Sequence, residues 1–123
     1  MPIISHADAR TFTLPGIQFT GLAAPSRGAV DSCVWIVRID PGTAGTPHRL
    51  SREEVIVAIE GTARATLDGE VHEVRAGEAI IVPADTEFAL ENPYDTAFQA
   101  VAVLPVGTHA NMAGDSFVPP WAL

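Results

Sequence analysis

The sequence has no lysine, since all seven of its Lys and Arg residues are arginines. Without a side-chain amine, the chain cannot form a Schiff base with a carbonyl substrate or with pyridoxal phosphate. It has one cysteine, Cys33, which excludes an intrachain disulfide and any cysteine-clustered zinc or iron–sulfur site. Its ten glycines are scattered singly, so the sequence contains none of the glycine-rich loops that bind nucleotide phosphates.

Long apolar runs and positive charge are also scarce. Apolar stretches such as residues 55–59 and 79–83 are far shorter than the roughly 20 residues that cross a bilayer, so we expect no membrane partner. Fifteen acidic residues against seven basic ones give a net charge of -8, which repels phosphate backbones, so we expect no nucleic-acid partner. The first residues lack the basic and apolar regions of a secretory signal, and we therefore expect a cytoplasmic protein.

The 123 residues, 47% of them hydrophobic, are enough for one domain with a core, residues 1–123. Short runs rich in Val, Ile and Thr alternate with Gly, Pro, Asp and Asn, which is typical of strands and turns. The predicted strands are residues 18–23, 32–40, 46–50, 54–59, 62–67, 70–75, 78–82, 87–91 and 96–104. Asp68-Gly69 predicts a tight hairpin turn between two of them. The fold class is therefore all-β, and residues 1–16 and 105–123 are interpreted as apolar N- and C-terminal arms.

Two short motifs carry a family resemblance. The spacing of their anchors resembles that of the two motifs of the cupin superfamily, in residues 42–61 and 77–92. The matching anchors are Gly42, His48, Glu54 and Gly61 in the first motif, and Gly77, Pro83 and Asn92 in the second. The resemblance implies a single-domain jelly-roll β-barrel, the small type with one conserved barrel, whose inward positions at one end of the cavity include His48, Leu50, Glu54 and Phe88.

Three positions depart from the family pattern. The second histidine of the first motif is replaced by Leu50, and the histidine of the second motif by Phe88. Asp85 stands where the second motif has a glycine. Two of the four usual metal ligands are therefore missing, and two donors are fewer than a transition metal normally takes from a protein. We expect no cofactor, and if a divalent metal binds, His48 and Glu54 are its ligands, with an amide from Gln18 or Gln99 as a conceivable third.

His48 and Glu54 have two interpretations that the sequence leaves open. They form a buried hydrogen-bonded pair with a structural role, or a low-dielectric cavity shifts both pKa values so that the pair acts as general acid and base. Leu50, Phe88 and Trp35 are the candidate pocket residues. Trp35 and Arg38 lie at opposite parity on one strand, so one of them faces inward and the other outward. His6, His72 and His109 are expected at the rim or in solvent, and Cys33 in the core.

Two apolar features suggest contacts outside the barrel wall. Residues 55–59 and 79–82 are apolar on both faces, so something should cover the outer face. The family resemblance implies a homodimer that pairs through sheet faces and exchanged N-terminal strands. The segment Phe117-Val118-Pro119-Pro120-Trp121 is too apolar to be frayed and should pack on a second subunit, on the barrel mouth or along its own subunit.

Three functions fit these observations. The first is a small-molecule pocket that performs metal-free proton transfer, such as isomerisation, epimerisation, cyclisation or lyase activity, with His48 and Glu54 as the catalytic residues. The second is a metal-dependent oxygenase or isomerase with a reduced ligand set. The third is a non-catalytic binding or accessory protein. Architecture alone does not choose among them, because cupins of one fold serve many functions.

Overall fold

Antiparallel strands make up most of the computed structural model, which describes residues 2–123 of the chain. No α-helix occurs within that range, and the all-β prediction is confirmed. The described residues form twelve strands: β1 (Arg10–Leu14), β2 (Ile17–Ala23), β3 (Ser32–Ile39), β4 (Arg49–Leu50), β5 (Glu54–Glu60), β6 (Thr62–Leu67), β7 (Glu70–Arg75), β8 (Ala79–Val82), β9 (Phe88–Glu91), β10 (Phe98–Pro105), β11 (Ala110–Met112) and β12 (Asp115–Phe117). Short 3₁₀ turns lie at His6–Asp8, Pro25–Arg27 and Pro120–Ala122.

The strands form two facing layers, as a jelly-roll barrel requires. One layer is a six-stranded antiparallel sheet in the order β1-β2-β3-β10-β5-β8. The other consists of two three-stranded sheets, β12-β11-β4 and β7-β6-β9. An isolated antiparallel bridge between His48 and Phe88 links these two smaller sheets, because His48 directly precedes β4 and Phe88 begins β9. This bridge brings the first motif beside the second.

Alternation of side chains along the strands places the core between the layers. On β5, Glu54, Ile56 and Ala58 are buried, while Val57 and Ile59 on the same strand are exposed. Strand β10 alternates in the same way along its whole length. A period of two is what a pleated strand imposes, so a strand that is apolar on both faces has an apolar face outside the barrel.

Backbone conformation explains why glycine occurs at two positions, Gly69 and Gly61. Asp68 and Gly69 both have positive φ, 47° and 81°, and they join β6 to β7 in the predicted hairpin, which is confirmed. Gly61 also has positive φ, 76°, and a Cβ there would lie 2.2 Å from the carbonyl oxygen of Ala97. The last glycine of the first motif is therefore required by backbone packing rather than by chemistry at the site.

Asn92, the last anchor of the second motif, also has a structural role. It is fully buried, and its Nδ2 donates to the carbonyl oxygens of Ile39 at 3.0 Å and Thr96 at 2.8 Å. Its Oδ1 accepts from the backbone N–H of Tyr94 at 3.1 Å. An amide that satisfies three backbone groups inside the core explains why this position carries asparagine.

Some predicted boundaries differ from the observed ones. The predicted strand 46–50 is limited to Arg49–Leu50, with His48 only in an isolated bridge. Strands β1, β11 and β12 were not predicted, and they lie in the segments interpreted as arms, residues 1–16 and 105–123. Their short length and weak alternation made them hard to detect.

Within residues 2–123, no helix is long and apolar enough to cross a membrane.

Candidate functional site

The two layers enclose a cavity of about 210 Å³. The six-stranded sheet lines it with residues that include Phe19, Trp35, Glu54, Ile56 and Ala102. The opposite layer and the adjoining segments contribute residues that include His48, Leu50, Phe88 and Met112. All five candidate residues named from the sequence, His48, Glu54, Leu50, Phe88 and Trp35, therefore line one cavity.

Glu54 is the buried carboxyl of this cavity. It begins β5 opposite Val82, and its alternation with Ile56 directs it inward. The residue is only 5% exposed, and burial raises the pKa of its carboxyl to about 8. No hydrogen bond or charge from the described residues offsets that burial. At neutral pH Glu54 is therefore mainly a neutral carboxylic acid, which can donate a proton or a hydrogen bond.

His48 is held in a defined orientation by its backbone and its ring. Its N–H donates to the carbonyl oxygen of Phe88 at 3.0 Å, and its carbonyl oxygen accepts from the N–H of Phe88 at 2.9 Å. Its Nδ1 lies 2.8 Å from the carbonyl oxygen of Thr46, and its ring centroid lies 4.2 Å from that of Phe88. Because a carbonyl oxygen can only accept, Nδ1 must carry the proton.

The protonation of the ring follows from burial. Burial lowers the pKa of His48, and the bond to Thr46 opposes this effect only in part. The neutral ring with its proton on Nδ1 has a free lone pair on Nε2. His48 is thus suited to accept a proton at neutral pH, the complement of Glu54.

His48 and Glu54 do not form the buried pair that was one of their two interpretations. Within residues 2–123, no hydrogen bond joins the two side chains, and His48 contacts the Thr46 carbonyl instead. Both side chains line the same cavity, and neither uses its hydrogen-bonding atoms on the other.

Trp35 and Arg38 occupy opposite faces of β3. Trp35 is buried and lines the cavity, whereas Arg38 is exposed and pairs with Asp40 at 3.6 Å. Within the described residues, the cavity lining contains no arginine, and its polar side chains besides His48 and Glu54 are Thr46 and the indoles of Trp35 and Trp121. The cavity therefore has no fixed positive charge to hold an anion.

The aromatic wall of the cavity extends beyond the sequence-based candidates. Phe19 and Trp121 stack face to face, with ring centroids 3.7 Å apart and an interplanar angle of 3°. Trp35 meets Trp121 edge-on at 6.3 Å. Phe19 was missed because its strand alternates weakly, although the apolar C-terminal segment had already indicated a packing role for Trp121.

The C-terminal segment packs on its own barrel. The carbonyl oxygen of Leu123 accepts from the N–H of Ser26 at 3.1 Å, and Ala122 is buried beside Cys33, whose Sγ lies 3.5 Å from its carbonyl oxygen. The 3₁₀ turn Pro120–Ala122 thereby holds the Trp121 ring at the cavity, with its Nε1–H buried and without a partner among the described residues. Of the packing sites expected for this segment, the structure places it at the barrel of the same chain.

The metal-ligating residues of the cavity are few. His48 and Glu54 line it, but Gln18 lies exposed on β2, and Gln99 donates to Glu60 at 2.8 Å outside the cavity. Nowhere in residues 2–123 do three or more His, Cys, Asp or Glu residues lie so that they could hold a metal ion. Leu50 and Phe88 place hydrocarbon at the other two ligand positions that the cupin resemblance implies.

The remaining single residues lie elsewhere. His6, His72 and His109 are outside the cavity lining, and His72 pairs on the surface with Glu70 at 3.6 Å. Cys33 is fully buried in the core, and burial raises the pKa of its thiol. A buried thiol with a raised pKa is a packing residue rather than a nucleophile.

Comparison with known proteins agrees with this architecture. A family model described as a cupin domain matches residues 35–104, more than half of the chain. Dimethylsulfoniopropionate lyase DddW from Ruegeria pomeroyi is 39% identical over 57 residues, which are 46% of this chain and 38% of that protein. The chain thus matches well under half of the length of that relative.

Two solved structures are similar over nearly their whole length. The polyketide cyclase RemF from Streptomyces resistomycificus has a TM-score of 0.82 at 19% identity, covering 98% of this chain and 88% of that one. KdgF from Halomonas sp. has a TM-score of 0.72 at 22% identity, covering 85% and 94%. At these identities the similarity shows a shared fold.

Proposed function

The chain belongs to the cupin domain family, and from that premise we propose that it binds a small uncharged organic molecule and catalyses proton transfer on it without a metal ion. The observation that supports this proposal is that Glu54, with a pKa raised to about 8 by burial, lines a mainly apolar cavity together with His48. The similar proteins include a polyketide cyclase and a dimethylsulfoniopropionate lyase, which supports an enzyme acting on small organic molecules.

Glu54 and His48 have complementary protonation states for this chemistry. Glu54 enters the reaction as a general acid, because burial keeps its proton on the carboxyl at neutral pH. His48 enters as a general base through Nε2, because Nδ1 is occupied by the Thr46 carbonyl oxygen. Two titratable groups whose environments favour opposite roles are the usual mark of acid and base assignments.

An enolisable carbonyl compound illustrates the proton balance. His48 Nε2 takes a proton from the carbon beside the carbonyl, while Glu54 donates its proton to the carbonyl oxygen. The products are a neutral enol, an imidazolium and a carboxylate. When the imidazolium returns its proton to a different face or to a conjugated carbon, and the enol returns its own to Glu54, epimerisation or isomerisation is complete. Both side chains are then restored.

A metal-dependent oxygenase or isomerase is the alternative from the family resemblance. Catalytic metal sites usually have three or more protein ligands, and this cavity offers His48 and Glu54. Leu50 and Phe88 cannot complete the set, so these residues do not fit a tightly held divalent metal. No step of the proposed reaction is assigned to a metal.

The first test is elemental analysis of the untagged protein together with deuterium exchange. We expect iron, manganese, zinc and nickel well below one equivalent. We also expect deuterium uptake from D₂O into cyclohexanone or 1-tetralone, followed by NMR, that persists after treatment with a chelator. Exchange without metal is expected because both proton-transfer groups belong to the chain.

His48→Ala and Glu54→Ala are the controls for that experiment. Near-stoichiometric metal that is lost in both variants would favour the metal-dependent reaction instead. Binding of these ketones with no exchange above the level of the two variants would favour the third function, a non-catalytic binding protein.

We also propose that the protein is a homodimer, because the outer face of the six-stranded sheet is apolar. This outer apolar face consists of Val34, Ile36, Val55, Val57, Ile81, Val101 and Val103, on β3, β5, β8 and β10. Ile81 is 61% exposed in the single chain. Contiguous apolar patches of this kind mark protein interfaces, and a two-fold axis through the face would bury it against its own copy.

Ile81→Arg should therefore convert the dimer into a monomer at micromolar concentration, since it places a charge in the outer apolar face. Sedimentation velocity measures the outcome. Val71→Arg is the matched control, because Val71 is an equally exposed β-branched residue on β7 of the opposite layer. A wild-type monomer, or a dimer that survives Ile81→Arg, would contradict the proposed interface.

A further inference from the structure

The charges around the cavity restrict its ligand. Within residues 2–123 the lining has no arginine, and its one histidine is kept neutral by burial. The whole chain also has a net charge of -8. A carboxylate or phosphate would lose its hydration on entry and find no cation in return, which costs several kcal/mol for a buried unpaired charge. The cavity therefore disfavours anionic ligands.

The size and the aromatic lining restrict the ligand further. An engineered protein cavity of about 150 Å³ binds benzene, so the 210 Å³ observed here has room for one substituted ring or a small fused pair. Five aromatic residues line the cavity: Phe19, Trp35, Phe88, Phe117 and Trp121. Aromatic side chains favour offset or edge-on contacts with another ring beyond the area that they bury.

The polar groups of the cavity match a particular functional group. Glu54 offers a hydrogen-bond donor without a local acceptor, and His48 Nε2 offers an acceptor without a local donor. Leaving a buried donor without a partner is unfavourable, so a ligand that supplies the missing acceptor is preferred over one that lacks it. A carbonyl oxygen supplies an acceptor for Glu54, and the acidified C–H beside it faces a base.

We infer that the ligand is an uncharged aromatic ketone of one or two rings, whose carbonyl oxygen accepts from Glu54 and whose ring packs among the aromatic side chains of the cavity. This substrate class rests on the proposed proton-transfer function. To that function it adds three features of the substrate: an aromatic ring, the absence of charge and a carbonyl group. A separate property of the cavity favours each of them.

Binding of four matched probes tests the inference: 1-tetralone, tetralin, 1-naphthoate and 1-naphthylmethylamine. Calorimetry gives the affinities, and tryptophan fluorescence reports on the cavity because both tryptophans of the chain, Trp35 and Trp121, line it. We expect 1-tetralone to bind about tenfold more tightly than tetralin, the gain from one additional buried hydrogen bond. We expect 1-naphthoate to bind at least about a hundredfold more weakly than 1-tetralone.

Two variants separate the carbonyl contact from the fold. Glu54→Leu should abolish the preference for 1-tetralone over tetralin, whereas Glu54→Gln should keep it, because a glutamine amide still donates a hydrogen bond. Equal affinity for 1-tetralone and tetralin in the wild type would overturn the inference. Tighter binding of 1-naphthoate than of 1-tetralone would also overturn it, as would no binding of any probe. Tighter binding of 1-naphthylmethylamine than of 1-tetralone would overturn it too, because it would indicate an ion pair with Glu54. Deuterium exchange into cyclohexanone that depends on Glu54 would still support the proposed function in each of these cases.

Discussion

Replacing Glu54 by glutamine should stabilise the protein relative to the wild type by an amount that grows as the pH rises from about 5 to about 8. Burial raises the pKa of Glu54 from 4.5 to about 8 in the folded chain. Between these values the unfolded chain has released the proton and the folded chain still holds it. The favourable contribution of Glu54 is therefore complete below pH 4.5 and is lost as the pH approaches 8.

The expected size of this effect is large for one side chain. Each pH unit in that window costs the wild type about 1.4 kcal/mol of unfolding free energy, and the whole window costs about 5 kcal/mol. Glutamine does not ionise, so the variant lacks this loss. Above about pH 8 Glu54 is ionised in both the folded and the unfolded wild type, so the difference in stability between the wild type and the variant should level off.

Urea denaturation at a series of pH values measures the difference. Glu53→Gln is the matched control, because Glu53 precedes Glu54 in the sequence and is exposed to solvent. The control should follow the wild type at every pH, and subtracting it removes the effect of losing one negative charge. A constant difference between Glu54→Gln and the wild type across the window would show that Glu54 ionises normally in the folded protein.

The all-β fold could be predicted because local signals and motif spacing agreed. Asp68 and Gly69 tolerate positive φ, and the strands on either side of them, β6 and β7, match the predicted residues 62–67 and 70–75. The glycine spacing of the first motif reflects a backbone requirement at Gly61, which leaves no room for a Cβ beside Ala97. The turn at Asp68 and Gly69 is a local requirement, whereas the contact of Gly61 with Ala97 joins residues that are distant in the sequence, so that glycine was predictable only through the motif spacing.

The cavity could be predicted only as far as its motif residues. The family resemblance implies that His48 and Phe88 lie at one end of the cavity, and in the structure one backbone bridge joins them. The direction of Trp35 was left open because β3 is apolar at both parities, and only packing against β10 and the C-terminal turn decides it. Phe19 and Trp121 lie about a hundred residues apart, and no local pattern predicts that they stack.

The protonation states could not be predicted from the sequence at all. A glutamate and a histidine at motif positions are consistent with a hydrogen-bonded pair, with two metal ligands or with an acid and a base. The choice depends on distances and burial, which set Glu54 to donate and His48 to accept. Leu50 and Phe88 contribute to that choice, because they place hydrocarbon at the two positions where the family has metal ligands, in the same cavity as the buried carboxyl.

Replacing His48 by asparagine should lower the rate of deuterium exchange into a bound ketone by about 10²- to 10⁴-fold, the usual contribution of a positioned general base. In the wild type the rate should fall at low pH, when His48 takes up a proton with a pKa below 6.5, because protonation fills the lone pair on Nε2. It should also fall above about pH 8, when Glu54 loses its proton. The rate is thus expected to be highest between these two limits.

The pH profiles of the variants separate catalysis from structure. His48→Asn should lose the decline at low pH, and Glu54→Gln should lose the decline at high pH, each with a much lower maximum rate. His109→Asn is the control, because His109 is exposed and lies outside the cavity lining. A low-pH decline that persists in His48→Asn would assign the base to another group. A merely structural role of His48 would lower the rate without removing that decline, since it is the titration of the imidazole, and not the packing of the ring on Phe88, that produces it.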